Sequence, residues 1–178
     1  WGTHYERTQT WWEMTSAWHL YLSRCQYMLR QGTYVADICF LRPENTPTKF
    51  VQYPYLAYQY DEISAEGVLK RMNRSIALNG GPEYRVMVLP EDFNMMTPEL
   101  LTRIRQLARK GATIIGPKPE RSPSLSGYPQ CDEEVKRLAD QLWGNTGGKS
   151  VIKRKIGKGR IISGVPVEKV LRDMSIKP

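Results

Sequence analysis

Residues 85–117 read RVMVLPEDFNMMTPELLTRIRQLARKGATIIGP. Arg85–Leu89 is an apolar run of strand length that ends at Pro90. Thr97-Pro98-Glu99 opens a helix, with proline at the first helical position, where a missing N–H costs nothing. Leu100, Leu101, Ile104, Leu107 and Ala108 then recur at three- and four-residue steps, which makes one apolar helix face, and Gly111 stops it. Ala112–Ile115 is a second apolar run, closed by Gly116-Pro117. Strand, crossover-length helix and strand together predict two parallel strands of an α/β sheet.

The same alternation extends outward. Upstream, Tyr34–Leu41 (YVADICFL) reads as a buried strand despite Asp37. Residues 42–59 hold Pro43, Pro47 and Pro54, with closely spaced tyrosines ending at Tyr60, and read as a long connection. Ser64 is placed to cap a helix reaching about Met72, Ile76–Leu78 suits a short strand, and Asn79-Gly80-Gly81 makes a turn. Downstream, residues 116–130 form a Pro/Gly/Ser loop, and a helix starts at Cys131 or Asp132 and runs to about Trp143. Residues 149–163 read as a hairpin turning at Gly157-Lys158-Gly159, followed by a helix from about Val165 to Met174. The sheet is expected to be parallel or mostly parallel, with helices on both faces. At the other end, residues 1–12 show no period and read as a loop. Thr15 or Ser16 caps a helix to about Arg30, in which Trp18, Tyr21, Leu22, Cys25, Met28 and Leu29 form a face expected to be buried.

The chain has 178 residues, 40% of them hydrophobic and 25% charged, enough for one ordinary domain, or at most one domain plus an appendage. No apolar run approaches the roughly 20 residues that span a bilayer, and the first twelve do not read as a signal peptide. Trp1 in place of Met reads as a cut or a processed start. Three cysteines without a C-x-x-C pair argue against a structural zinc site and against a disulfide scaffold. The net charge of +8 is local: Lys149–Pro178 holds nine Lys/Arg against Glu168 and Asp173, and so carries nearly all of it. Four of the five tryptophans, Trp1, Trp11, Trp12 and Trp18, lie at the N-terminus, where such apolar rings need a partner.

Motifs for chemistry mostly fail. Gly147-Gly148-Lys149-Ser150 lacks the earlier glycine of a phosphate-binding loop and precedes a strand, no G-x-G-x-x-G follows a strand, and no nucleophile elbow occurs. Cys25 and Cys39 read as core residues, and Cys131 as a helix-start residue whose thiol is the one to test. His19 reads as a solvated helix residue. His4, Glu6, Arg7, Trp11 and Trp12 share one loop, where indole faces beside polar groups suit a sugar and equally suit a neighbouring domain. The basic run KRKIGKGR at 153–160 could touch phosphate, but it also suits a charged hairpin that guards a sheet edge.

Several stretches together carry a family resemblance. They are WGTHYERTQTWW at 1–12, Ala17-Trp18 with Tyr21-Leu22 and Arg24-Cys25-Gln26-Tyr27, Tyr58-Gln59-Tyr60-Asp61, and Tyr84–Pro90 with Met96-Thr97-Pro98-Glu99. Gly111–Pro119 with Arg121-Ser122-Pro123-Ser124-Leu125, and Gly157-Lys158-Gly159-Arg160, complete the set. In this order they resemble bacterial α-L-rhamnosidases of glycoside hydrolase family 106 across nearly the whole chain.

The resemblance implies a large, multidomain, periplasmic or secreted enzyme that removes terminal L-rhamnose from plant polysaccharide. Its carboxylates work with inversion in an upstream (α/β)8 barrel associated with calcium. It further implies that residues 15–178 form a single α/β accessory domain after that barrel, with residues 1–14 as the connecting loop. The implied fold is three-layered and Rossmann-like or flavodoxin-like, similar to the β-galactosidase trimerisation domain and to class I glutamine amidotransferases. Catalytic and metal-binding residues are expected to be absent here, as no pair among Glu6, Glu13, Asp37, Asp61, Glu62, Glu91 and Asp92 shares a pocket by sequence. His4, Arg7, Trp11 and Trp12 become candidates for substrate or barrel contact, and the loop that bears them is expected to lack order without the barrel. The expected partners are the barrel, rhamnose-containing polysaccharide through it, and a second copy of the chain, with neither nucleic acid nor membrane. The rivals are a free-standing carbohydrate-binding module and a Cys-dependent, amidotransferase-like enzyme.

Overall fold

The computed structural model describes residues 5–44, 57–73, 76–91, 94–145 and 151–178. It divides into two compact units, Trp1–Tyr34 and Val35–Pro178.

In the first unit a 3-10 turn, Trp12–Met14, leads directly into α1 (Thr15–Leu29). No side chain caps α1; Thr15 Oγ1 instead donates to Trp12 O at 2.6 Å. Most of the face expected to be buried is open: Trp18 is 53% exposed and Leu29 85%. The least exposed positions are Trp12, Thr15, His19, Leu22 and Cys25, a stripe at three- and four-residue steps. Apolar periodicity picked a stripe that shares Leu22 and Cys25 with this one but is turned away from it at Trp18, Tyr21, Met28 and Leu29, because the chain before α1 folds back onto the side that holds His19.

The second unit contains β1 (Ile38–Leu41), β2 (Tyr60–Ile63), α2 (Ala65–Lys70), β3 (Val86–Val88), α3 (Pro98–Lys110) and β4 (Thr113–Ile115). It continues with α4 (Gln130–Trp143), β5 (Ile152–Ile156), β6 (Gly159–Ser163) and α5 (Val167–Asp173). Among the described residues six strands form one mixed sheet in the order β2-β1-β3-β4-β6-β5. All neighbours are parallel except β5 and β6, which form the expected antiparallel hairpin. The local signals act as read. Thr97 Oγ1 accepts from Leu100 N, Ser64 Oγ accepts from Gly67 N, and Gly111 ends α3 at φ 129°, a conformation that glycine tolerates best.

Side chains that alternate along each strand sort into two cores. Cys39, Leu41, Met87, Leu89, Ile114 and Ile161 pack with the apolar faces of α2, α3 and α4. Ile38, Phe40, Val86, Val88, Ile115 and Ile162 pack on the opposite face with Tyr58 and α5. Each fully buried Leu or Ile there contributes roughly 1.5–3 kcal/mol. Three details depart from the reading. β1 begins at Ile38, after Asp37, whose carbonyl accepts from Arg85 N and Val86 N. β2, to which the reading gave no element, forms directly after the expected connection 42–59, of which 45–56 lies outside the described residues, because β1 offers a parallel edge to Tyr60–Ile63. Ile76–Leu78 makes only isolated bridges, Met72 to Leu78 and Ala77 to Glu83. Among the described residues no helix is long and apolar enough to cross a membrane.

Candidate functional site

Residues 5–14 are a chain of turns, closed by Gln9 N to Glu6 O, Trp12 N to Gln9 O and Met14 N to Trp11 O, each 3.1 Å. Where disorder was expected, this stretch thus carries local order. It converges on Tyr5. Ring centroids lie 5.4 Å away at Trp11, 5.7 Å at Trp12 and 5.5 Å at His19, the last two edge-on. The Tyr5 hydroxyl and His19 Nε2 share a hydrogen bond, and His19 also meets the Trp12 ring edge-on. Trp11 remains 36% exposed and Tyr5 44%, so an aromatic platform faces outward. Of the four candidates, Trp11 and Trp12 are brought together, Arg7 is exposed, and His4 lies outside the described residues. Tyr5 and His19 were missed as members. The available signal was that His19 follows Trp12 by seven residues, two helical turns along one face.

In an open α/β sheet, ligands bind beyond the carboxyl ends of the strands. Here much of that edge is occupied by the chain itself. The Glu44 carboxylate accepts from Thr97 N at 2.6 Å and from Thr97 Oγ1 at 2.8 Å, so it fills the positive start of α3. Asn94 Nδ2 donates to Glu120, and Met96 N to Arg121 O. A cleft of about 560 Å³ stays open beside β4 and β6, and its lining includes Gly116, Ser163, Glu91 and Glu168.

Thiols and carboxylates elsewhere are engaged structurally. Burial, helped by the Asp61 carboxylate, pushes the Cys39 thiol up to about 12, which keeps it protonated and unreactive. The Cys131 thiol lies against two acceptors, Ser124 O at 3.7 Å and Asp132 Oδ1 at 3.9 Å. Asp61 accepts from the Tyr84 hydroxyl and from Glu62 N, both at 2.8 Å. Burial and the hydrogen bond to Asp61 raise the Tyr84 phenol well above its usual range. Glu62 faces Arg42 at 3.8 Å. Among the described residues no group of three or more His, Cys, Asp or Glu converges as a metal cage.

A second cleft, about 450 Å³, lies between the β5–β6 hairpin and α5. Its walls include Lys153, Lys155, Lys158 and Arg160, with Asp173 as the one carboxylate among the described residues.

Comparison with known proteins adds three findings. The family model for glycoside hydrolase family 106, described as alpha-L-rhamnosidase, matches residues 1–178. A protein of Formosa agariphila named "Putative beta-glucuronidase" is 41% identical over 148 residues, which covers 80% of this chain and 13% of that protein. A rhamnosidase from Novosphingobium sp. PP1Y superimposes with a TM-score of 0.79 at 26% identity, over 99% of this chain and 17% of its own. The chain thus spans less than a fifth of either relative.

Proposed function

Because this chain belongs to the glycoside hydrolase family 106 α-L-rhamnosidases, we propose that it works within a larger enzyme as an accessory domain and does not itself break the glycosidic bond. The observation that carries this reading is the carboxyl edge of the sheet, where Glu44 fills the start of α3 instead of leaving it to a ligand. Glycoside hydrolysis needs two carboxyls placed across the scissile bond, and Glu91 and Glu168 are the pair in the remaining cleft to test. In this reading the chemistry resides in an upstream (α/β)8 barrel that acts on rhamnose-containing plant polysaccharide in the periplasm or outside the cell. Calcium finds no matching acidic cage among the described residues.

The parallel strands run β2-β1-β3-β4-β6, which follows the flavodoxin-like order with an antiparallel strand added at one edge. We therefore read residues 35–178 as a three-layer, flavodoxin-like domain, akin to the β-galactosidase trimerisation domain and class I glutamine amidotransferases. It supports the barrel or makes contacts between copies. We place the functional boundary between Tyr34 and Val35, where the two units part, and assign residues 1–34 to the barrel side. The exposed Trp18, Tyr21, Tyr27, Met28 and Leu29 support this, since so much apolar surface calls for cover. Arg7, Trp11 and Trp12, with His4, then face the substrate or the barrel.

The test compares the 178-residue chain with the full-length enzyme on para-nitrophenyl α-L-rhamnoside. The full-length enzyme turns over and the chain alone does not. In the full-length enzyme Trp11→Ala lowers kcat/KM by about tenfold, as loss of an aromatic anchor does, while Glu91→Gln and Glu168→Gln leave kcat nearly unchanged. A fall in kcat of about a hundredfold or more in either Gln variant, the scale of general acid–base catalysis, would overturn the reading.

A further inference from the structure

We propose that the cleft between the β5–β6 hairpin and α5 binds an acidic saccharide, one that bears carboxylates or sulfate esters. This rests on the accessory-domain reading and adds a ligand to it. Register decides which charges face the cleft. Lys153 pairs with Ile162 and Lys155 with Arg160, and Ile162 belongs to the core on the α5 side. Side chains alternate, so Lys153, Lys155 and Arg160 stand on that side. Arg154 turns to the other face, where Nη1 donates to Asp140 O at 3.2 Å. Lys158 joins from the turn.

The charges are unbalanced. Asp173 lies 3.8 Å from Lys153 Nζ, and among the described residues Lys155, Lys158 and Arg160 form no ion pair. Arg160 is nevertheless anchored. Its Nε donates at 3.1 Å to Thr113 Oγ1, a residue only 5% exposed, so its terminal N–H groups are held toward the cleft with little freedom to lose. Below the cations, buried Ile162 and Val170 with Met174 form an apolar floor. Guarding a sheet edge needs little more than a lysine or two, and accounts for neither the concavity nor its floor.

A charged sugar matches both parts: C–H faces on the floor, carboxylate or sulfate oxygens on Arg160 and the lysines. The volume of about 450 Å³ falls within the usual range of small-ligand sites. Single-stranded nucleic acid is a poorer match, because residues 151–163 (VIKRKIGKGRIIS) hold no aromatic on which a base could stack. In a member of a glycoside hydrolase family, a saccharide is also the polymer at hand.

The experiment titrates the 178-residue chain, by calorimetry at about 50 mM salt to limit screening, with four probes. These are a short oligogalacturonate, a sulfated oligosaccharide of similar length, a neutral cello-oligosaccharide and a short DNA duplex. At least one anionic saccharide binds, and which one identifies the anionic group. Lys155→Gln/Lys158→Gln, both at exposed positions, weakens that binding by about tenfold, as the loss of two surface charge contacts predicts, and leaves the circular dichroism unchanged. The proposal fails if neither anionic saccharide binds, if the double variant binds equally, if the neutral sugar binds as well, or if DNA binds more tightly than both. Rhamnoside hydrolysis by the chain alone would instead contradict the accessory reading and leave the cleft's binding intact.

Discussion

Leu29 and Leu101 sit in helices of similar length, α1 with 15 residues and α3 with 13, yet one is 85% exposed and the other fully buried. α3 is bounded by local signals, a Thr97 cap, Pro98 and Gly111, and lies against the sheet with five buried apolar residues. α1 has no side-chain cap, and only Thr15 along it is buried. The contrast teaches that an apolar helix face states a need for cover, whereas the cover itself comes from neighbours. In the 35–178 unit those neighbours are its own strands. In the 1–34 unit the aromatic surface stays open, which fits the proposal that the catalytic barrel covers it.

The largest effect that would sharpen this contrast is Leu101→Ala. It removes fully buried side-chain atoms and should cost about 3 kcal/mol by urea denaturation; a cost below about 1 kcal/mol would erase the distinction. Next comes Gly159→Ala. A Cβ there would run into the backbone oxygens of Ala108 and Ala112, which cannot swing aside as a side-chain tip can. Strain of this kind should cost about 2 kcal/mol and lower the melting temperature. The buried thiol gives a pH signature to the same unit. The Cys39 pKa is raised in the fold from 9.0 to about 12. Above pH 9 the unfolded chain therefore releases a proton that the native state retains, and unfolding becomes easier as pH rises. Stability is at full strength below pH 9 and declines from there toward about 12, with a limiting slope of about 1.4 kcal/mol per pH unit. Cys39→Ala should flatten that decline just above pH 9, before the buried Tyr84 phenol adds its own share in the same direction. The smallest effect belongs to Leu29→Ala. On the exposed end of α1 it should change stability by less than about 0.5 kcal/mol; a cost like that of Leu101→Ala would break the comparison.

What could be read from the residues follows from how local each cause is. α3, β3 and β4 were legible because cap, proline, apolar steps and glycine stop agree within one short stretch. The hairpin and its positive charge were legible for the same reason. β2 was not, since Tyr-Asp-Glu-Ile carries two acids and becomes a strand only through pairing with β1. Glu44 on Thr97 joins residues 53 apart, and nothing local announces it. At the candidate site, Trp11 and Trp12 stood out by composition. Tyr5 and His19 did not, because their meeting depends on how the turns at 5–14 fold back against α1. The cleft at β5–β6 lay half-hidden: its charges are a sequence run, but the division of Lys153 and Lys155 from Arg154 needs the register.

Amide hydrogen exchange, measured on the 178-residue chain and on the full-length enzyme, tests the central claim most directly. The account predicts that β3, β4 and α3 are strongly protected in both, while the amides of α1 exchange readily in the chain alone and become protected in the full-length enzyme. Equal protection of α1 in the two proteins would contradict it, because α1 would then need no partner beyond this chain.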